Sequence, residues 1–381
     1  MKNDNYIIDG LRLPIGKANG RYKNILPEVF TAYLLKYFPL KYPFLHDNLD
    51  EIILGNALGT GGNMARYALL EAGFKSEIPA TTIDMQCGSG LKSIILADGI
   101  LRGGNGHCIL AGGMESNSLA PKRQYHRRDS RFIDTETNFT QATFAPPQFE
   151  DTDMKKAAEN VAKLYHISKD EMMLWTIESH EKVIKSYDIQ YFTNIIASSF
   201  DTHMLIFDQA VKRDLTLEIL KKTQTTHLID HTNTAHLHDG AAIVLMANET
   251  FCVKNNVTPK YKIVATTVAG GLPNLSPLGV VWATEKLLKQ QNISINNIDL
   301  FEINESFAVK PLVFIKHFNV EAEKVNTFGG NLAYGHPFGA SGTINLIHLM
   351  QAMKFKNARF GLVAIGVAGG LGVAVLIENC Q

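Results

Sequence analysis

The chain has 381 residues, of which 45% are hydrophobic and 19% are charged, so it is long enough for two or three domain-sized units with a buried core. Its 37 Lys and Arg residues balance 37 Asp and Glu residues, and a nucleic-acid-binding protein would normally carry a basic excess. Four cysteines in a chain of this length do not make a disulfide framework. We therefore expect a globular protein of the reducing cytoplasm without a nucleic-acid partner.

Short apolar segments alternate with helical apolar spacing through the first 111 residues. The segments predicted as strands are 6–9, 52–54, 81–85 and 108–111, and those predicted as helices are 63–72 and 88–101. Strands that alternate with helices predict an α/β sheet with helices on its faces.

The composition becomes polar after about residue 118, and a buried strand resumes at Asp239. Between these points, helical spacing predicts two helices, over 155–165 and 169–186. We therefore predict three units, which are 1–117 with 239–258, an inserted domain over 118–238, and 259–381.

The segment 360–377 is wholly apolar and about as long as a minimal membrane helix. It contains five glycines and many β-branched residues, which favour two buried strands joined by a glycine turn. We therefore predict no membrane association.

The C-terminal part repeats a pattern of the N-terminal part. Gly88-Ser-Gly precedes a helix and then a strand that ends in Ala111-Gly-Gly, and Gly339-Ala-Ser-Gly precedes a helix and then a strand that ends in Ala368-Gly-Gly. The similar order predicts a duplicated βα unit, in which two helix N-termini meet near one centre. Such a junction suits a catalytic site.

Cys87 lies between a predicted strand and a predicted helix, in Met85-Gln-Cys-Gly-Ser-Gly. A free thiol has a pKa of about 8.5, and a helix N-terminus favours its anion. The local context alone leaves a reactive cysteine and a buried structural one equally open.

His336 lies in a rigid loop, between Gly335 and Pro337, which suits a catalytic histidine, although a packed loop histidine is the alternative. Asn304 follows the predicted strand 298–303 and could hold a water or simply form a turn. His236 and His238 have no companion ligands in the sequence pattern, so we predict no metal site.

Taken together, these segments resemble the thiolase family over nearly the whole chain. The matching motifs begin at Arg12, Gly55, Cys87, Ala111, Ala158, Asp239, Asn304 and Gly335, and read RLPIGK, GNA, CGSGLK, AGGMES, AENVA, DGAA, NESFA and GHPFGASG. The resemblance implies a five-layer α-β-α-β-α core and an inserted loop domain that binds coenzyme A (CoA). It also implies a homodimer or homotetramer, and CoA as substrate or product rather than as a separate cofactor.

The resemblance also implies roles for individual residues. Cys87 matches the nucleophile that carries the acyl group, His336 the histidine that activates it, and Asn304 the residue that positions a water in an oxyanion hole. The main-chain N–H groups of Cys87 and Ala368 match a second oxyanion hole. Weaker matches assign substrate contacts to Met154 and Lys212.

One position departs from the family pattern. Gly366 stands where the family has a second cysteine, the acid/base of the carbon–carbon step. The resemblance thus implies an acetyl-CoA C-acetyltransferase or close variant that loads Cys87 but is impaired in that step, since a positioned acid/base is worth about 10²–10⁴ in rate. Space left open at Gly366 would suit a hydrolase or heteroatom acyltransferase, and a non-catalytic CoA-binding protein is the third possibility.

Overall fold

The computed structural model describes residues 4–139, 142–150, 153–197 and 207–381. Within these ranges the strands are β1 (Asn5–Arg12), β2 (Gly16–Lys17), β3 (Glu51–Gly55), β4 (Ala80–Ile83), β5 (Cys108–Ser116), β6 (His238–Asn248), β7 (Tyr261–Gly270), β8 (Leu300–Ile303), β9 (Phe360–Val367) and β10 (Leu371–Asn379). The strands predicted from the apolar segments are confirmed, and 360–377 forms the hairpin of β9 and β10. No helix in the described ranges is both long and apolar enough to span a membrane.

The α-helices of the same ranges are α1 (Pro27–Lys41), α2 (Leu45–Asn48), α3 (Met64–Glu71), α4 (Ser89–Arg102), α5 (Met154–Leu164), α6 (Lys169–Asp188), α7 (Leu217–Thr223), α8 (Glu249–Lys254), α9 (Gly279–Gln291), α10 (Val309–Phe318), α11 (Asn331–Tyr334) and α12 (Phe338–Lys356). Local signals explain several of their starts. The Asn63 side chain accepts a hydrogen bond from the Arg66 N–H at the start of α3, and Ser168 and Glu171 form a capping box on α6.

The strands pair in the order β4-β3-β5-β6-β1-β7-β10-β9-β8, with β2 attached to β6. The strands β1 and β7 are paired only through Tyr6 with Lys262 and Ile7 with Tyr261. This short junction divides the sheet into an N-terminal half, from β4 to β1, and a C-terminal half, from β7 to β8.

Three apolar clusters lie between the layers. The central cluster joins α4 and α12 to strands of both halves. A second cluster packs α1 and α3 on the outer face of the N-terminal half, and a third packs α9 and α10 on the outer face of the C-terminal half. The result is helix, sheet, helix, sheet, helix, which confirms the predicted five-layer α/β fold.

The two halves repeat one arrangement. In the N-terminal half, β3 pairs in parallel with β5 and β5 pairs antiparallel with β6, and β8, β9 and β10 repeat these relations in the C-terminal half. The connecting helices α4 and α12 pack against each other. A Cβ on Gly90 would lie 2.6 Å from the Gly339 carbonyl oxygen, and a Cβ on Gly342 would lie 2.6 Å from the Leu91 Cβ. These glycines bring the N-terminal ends of the two helices together.

Candidate active site

Cys87 lies in a 3₁₀ turn, Gln86–Gly88, that leads from β4 into α4. Gln86 has a φ of +50°, a left-handed conformation that is uncommon for a residue with a side chain. The Cys87 side chain is partly buried and packs against the central cluster. The turn therefore holds the sulfur at the N-terminal end of α4, next to the start of α12.

Burial raises the pKa of the Cys87 thiol to about 11, although the nearby Lys310 ammonium acts in the opposite direction. Glu115 and Asp84 raise it further. The sequence interpretation expected the helix N-terminus to favour the thiolate, but desolvation outweighs that effect here. The resting sulfur is thus a thiol, and it needs a base when it reacts.

His336 is buried at the entry to α12. Its Nδ1 lies 2.7 Å from the Ser341 Oγ, and that hydroxyl donates to the Pro337 carbonyl oxygen at 2.9 Å. With the hydroxyl proton engaged in that bond, the Ser341 oxygen is free to accept from an Nδ1–H, the tautomer that leaves Nε2 unprotonated. That Nε2 is buried and has no hydrogen-bond partner among the described residues.

The His336 imidazole is held neutral. Burial lowers its pKa well below the usual value, and the positive charge of Lys310 lowers it further. Lys310 also interacts electrostatically with Cys87, so the sulfur, the imidazole and the amine belong to one electrostatic cluster. A neutral imidazole has one unprotonated nitrogen, so it can act as the hydrogen-bond acceptor of a thiol.

Asn304 follows β8 and is fully buried. Its Nδ2 donates to the Asn331 Oδ1 at 2.9 Å and lies 3.3 Å from the His336 Nδ1. The side chain is therefore fixed beside the imidazole, and its role in holding a water stays a prediction.

Lys310 is a site residue that sequence reasoning missed. It lies on α10, is fully buried, and its Nζ donates to the Gly366 carbonyl oxygen at 2.7 Å and to the Asn304 Oδ1 at 3.3 Å. The sequence did hold one signal, since Lys310 is the only charged residue in the otherwise apolar run 307–315. Charged side chains are almost never fully buried without a specific reason.

Gly366 lies in β9 opposite Gly372 of β10. A Cβ at this position would lie 3.0 Å from the carbonyl oxygens of both Ser276 and Pro277. The expectation that a missing side chain leaves open space here is wrong, because main chain from the segment Pro273–Leu278 fills it. Ala368 is buried in the turn after β9, just before Gly369 and Gly370, which both have positive φ.

The two weak substrate matches lie in different surroundings. Met154 starts α5 and packs, partly buried, against the outer cluster of the C-terminal half. Lys212 donates its main-chain N–H to the His180 Nδ1 and lines a cavity of about 410 Å³ with Lys17 and His236. Neither Cys87 nor His336 lines that cavity, although Leu237, which does, pairs with His336 through the main chain.

Glu115 ends β5 and connects the two halves. Its carboxylate accepts from the Asn56 Nδ2 and from the main-chain N–H groups of Ala57, Leu58 and Gly339. Burial raises its pKa to about 7, and the three main-chain donors act in the opposite direction. In the described ranges, no group of three or more His, Cys, Asp or Glu side chains has the arrangement of a metal site.

The chain is similar to known proteins along its whole length. The family model "Thiolase, N-terminal domain" matches residues 5–250, and "Thiolase, C-terminal domain" matches residues 257–379. A Staphylococcus epidermidis protein named "Putative acetyl-CoA C-acetyltransferase VraB" is 35% identical over 381 residues, with 98% of each chain covered.

Solved structures give the same result. The Bacillus anthracis acetyl-CoA acetyltransferase superposes with a TM-score of 0.90 at 27% identity and covers 99% of each chain. Human mitochondrial 3-ketoacyl-CoA thiolase, solved in complex with CoA, superposes with a TM-score of 0.91 at 27% identity, over 100% of this chain and 98% of the human one.

Proposed function

Since this chain belongs to the thiolase family, we propose that it transfers acyl groups from CoA thioesters through a thioester on Cys87. The observation that carries the proposal is the His336 imidazole, which is held neutral and whose buried Nε2 has no partner among the described residues. A buried nitrogen without a partner is costly unless a substrate or a reacting group engages it.

The residues have complementary parts in the loading step. The His336 Nε2 takes the proton of the Cys87 thiol while the sulfur attacks the thioester carbonyl carbon. The carbon–sulfur bond to CoA then breaks, and the proton passes from the imidazole to the departing CoA sulfur. The main-chain N–H groups of Cys87 and Ala368 are the proposed donors to the developing oxyanion, where one donor is worth about 3 kcal/mol.

The finer assignment is an acetyl-CoA C-acetyltransferase or a close variant, with CoA as substrate or product and with Asn304 holding a water. The names of the similar proteins support acetyl-CoA as donor and CoA as a ligand. Met154 and Lys212, on the segment inserted between β5 and β6, are the proposed substrate contacts. We also propose a homodimer or homotetramer in the cytoplasm.

The competing functions have weaker support. A hydrolase was suggested by open space at Gly366, and the carbonyl oxygens of Ser276 and Pro277 fill that space. A non-catalytic CoA-binding protein would have no use for a thiol and a neutral imidazole that both interact with the buried amine of Lys310.

Mass spectrometry of the intact protein after incubation with acetyl-CoA tests the loading step. We expect one added acetyl group, located on Cys87 by peptide mapping and absent from Cys87→Ala. The matched control is Cys380→Ala, which removes an exposed cysteine at the end of the chain and should load like the parent. If the parent gains no acetyl group on Cys87, the proposed function is wrong.

A further inference from the structure

We propose that the amine of Lys310 is the acid/base that exchanges a proton with the α-carbon of the CoA thioester in the carbon–carbon step. This inference rests on the proposed function, because it assigns the second half-reaction of the same site. A carbon–carbon bond between two acyl groups requires an α-proton to be removed from one of them. A base separate from the group that activates the sulfur would meet this requirement.

The placement of Lys310 is unusual for a lysine. The whole side chain is buried, and its two hydrogen-bond partners are the neutral oxygens of Gly366 and Asn304. No carboxylate forms an ion pair with it among the described residues. A buried ammonium without a counter-charge is expensive, so a lysine held in this way readily gives up its proton.

The neutral amine fits the donors and acceptors around it. A neutral amine has two N–H groups and one lone pair, and the structure provides two acceptors, at 2.7 Å and 3.3 Å. Both N–H groups are then satisfied and the lone pair stays free to accept a proton. In the ammonium form, the third N–H lacks a partner in the described residues and can return the proton.

The other titratable groups near the sulfur have other parts. In the proposed loading step the His336 Nε2 takes the proton of the Cys87 thiol, and the Glu115 oxygens accept four hydrogen bonds that join the two halves. His238 has a buried Nε2 without a partner among the described residues, but it acts on His336 rather than on Cys87. Lys310 acts electrostatically on both Cys87 and His336, which favours it as the base.

The Lys310 amine takes a proton from the methyl carbon of acetyl-CoA, and that carbon bonds to the carbonyl carbon of the acetyl group on Cys87. The bond between this carbonyl carbon and the Cys87 sulfur breaks, and the released thiolate takes up the proton from the Lys310 ammonium. In the reverse direction, the ammonium protonates the carbanion that leaves when acetoacetyl-CoA is cleaved.

Burial lowers the pKa of Lys310 to about 8, and Cys87 acts in the opposite direction. The groups near Lys310 titrate in other pH ranges, since the pKa of Cys87 is raised to about 11 and that of His336 lies well below its usual value. Glu115, with a pKa raised to about 7, influences Cys87 rather than Lys310. A change centred near pH 8 in the rate of α-proton removal would therefore report on the Lys310 amine.

The test compares Lys310→Met with the parent in two assays, which are acetylation of Cys87 and thiolysis of acetoacetyl-CoA. We expect acetylation within about threefold of the parent and thiolysis lowered by about 10²–10⁴. Lys316→Met is the matched control, because Lys316 is exposed on the same helix; it should match the parent in both assays.

Two outcomes would overturn the inference while leaving the proposed function intact. One is thiolysis by Lys310→Met above a tenth of the parent rate. The other is an equal loss of acetylation and thiolysis, which would mean that Lys310 acts on Cys87 itself. Failure of the parent to acetylate Cys87 would instead reject the proposed function.

A second measurement needs no variant. In deuterium oxide, the parent should exchange the methyl protons of acetyl-CoA, with a rate that rises through about pH 8 as the Lys310 amine loses its proton. A lack of exchange, or a rate that does not change over that range, would contradict the inference even if Lys310→Met fails to fold.

Discussion

The N-terminal and C-terminal halves share one arrangement of strands and helices, yet each buries a different charge near the centre. In the N-terminal half, the Glu115 carboxylate accepts four hydrogen bonds, three of them from main chain. In the C-terminal half, the Lys310 amine donates to two neutral oxygens. The four donors thus satisfy the Glu115 carboxylate, whereas the ammonium form of Lys310 would have one N–H without a partner among the described residues.

In the proposed mechanism, this difference separates a structural charge at Glu115 from a reactive amine at Lys310. The Glu115 hydrogen bonds join β5 to the loop after β3 and to the start of α12, so its removal would disturb both halves. Among the described residues, the Lys310 Nζ hydrogen-bonds to the Gly366 carbonyl oxygen near the end of β9 and to the Asn304 side chain. A buried group with spare hydrogen-bonding capacity is costly to the fold and available to a substrate.

The largest expected effect on stability is at Glu115. Glu115→Gln replaces one acceptor oxygen with an NH₂ group that faces donors, so we expect the free energy of unfolding to fall by about 3 kcal/mol. Lys310→Met should lower it by no more than about 1 kcal/mol, because an apolar side chain of similar volume replaces an unpaired buried charge. Urea unfolding of both variants measures the difference, and equal losses would remove the distinction between the two charges.

A smaller effect is expected at Gly366. A Cβ here would lie 3.0 Å from two main-chain oxygens, those of Ser276 and Pro277. Gly366→Ala must therefore shift the segment Pro273–Leu278, and we expect a loss of about 1–3 kcal/mol in the free energy of unfolding. Thermal unfolding of the variant is the measurement. A midpoint temperature at or above that of the parent would contradict the expectation, because it would mean that the segment Pro273–Leu278 moves at little cost.

The smallest effect is expected in the N-terminal half, at Gly99 of α4. An added Cβ meets no atom within 4 Å, and the residue lies inside the helix. Gly99→Ala should therefore raise the free energy of unfolding by about 0.5–1 kcal/mol, since alanine loses less conformational entropy than glycine. Gly99→Ala and Gly366→Ala can be compared by thermal unfolding. The two substitutions should move the midpoint temperature in opposite directions.

Much of the fold was predictable because its signals are local. Apolar periodicity indicated the strands and helices, and the glycines of 360–377 correctly distinguished the β9–β10 hairpin from a membrane helix. The rest of the site depends on contacts that are distant in sequence. Ser341 contacts the His336 Nδ1, and the segment Pro273–Leu278 closes the space at Gly366. The sequence shows the helix start, which favours the Cys87 thiolate. It does not show the burial, which raises the pKa of the thiol instead.

The raised pKa of the Cys87 thiol has a consequence for the lifetime of the protein. Peroxides attack the thiolate much faster than the protonated sulfur, and each further oxidation step is harder to reverse. In the proposed mechanism the Cys87 sulfur is ionised only while a substrate is bound, so it is a protonated thiol, the less reactive form toward oxidants, for most of the time. The same burial that raises its pKa would therefore also protect it from oxidation between turnovers.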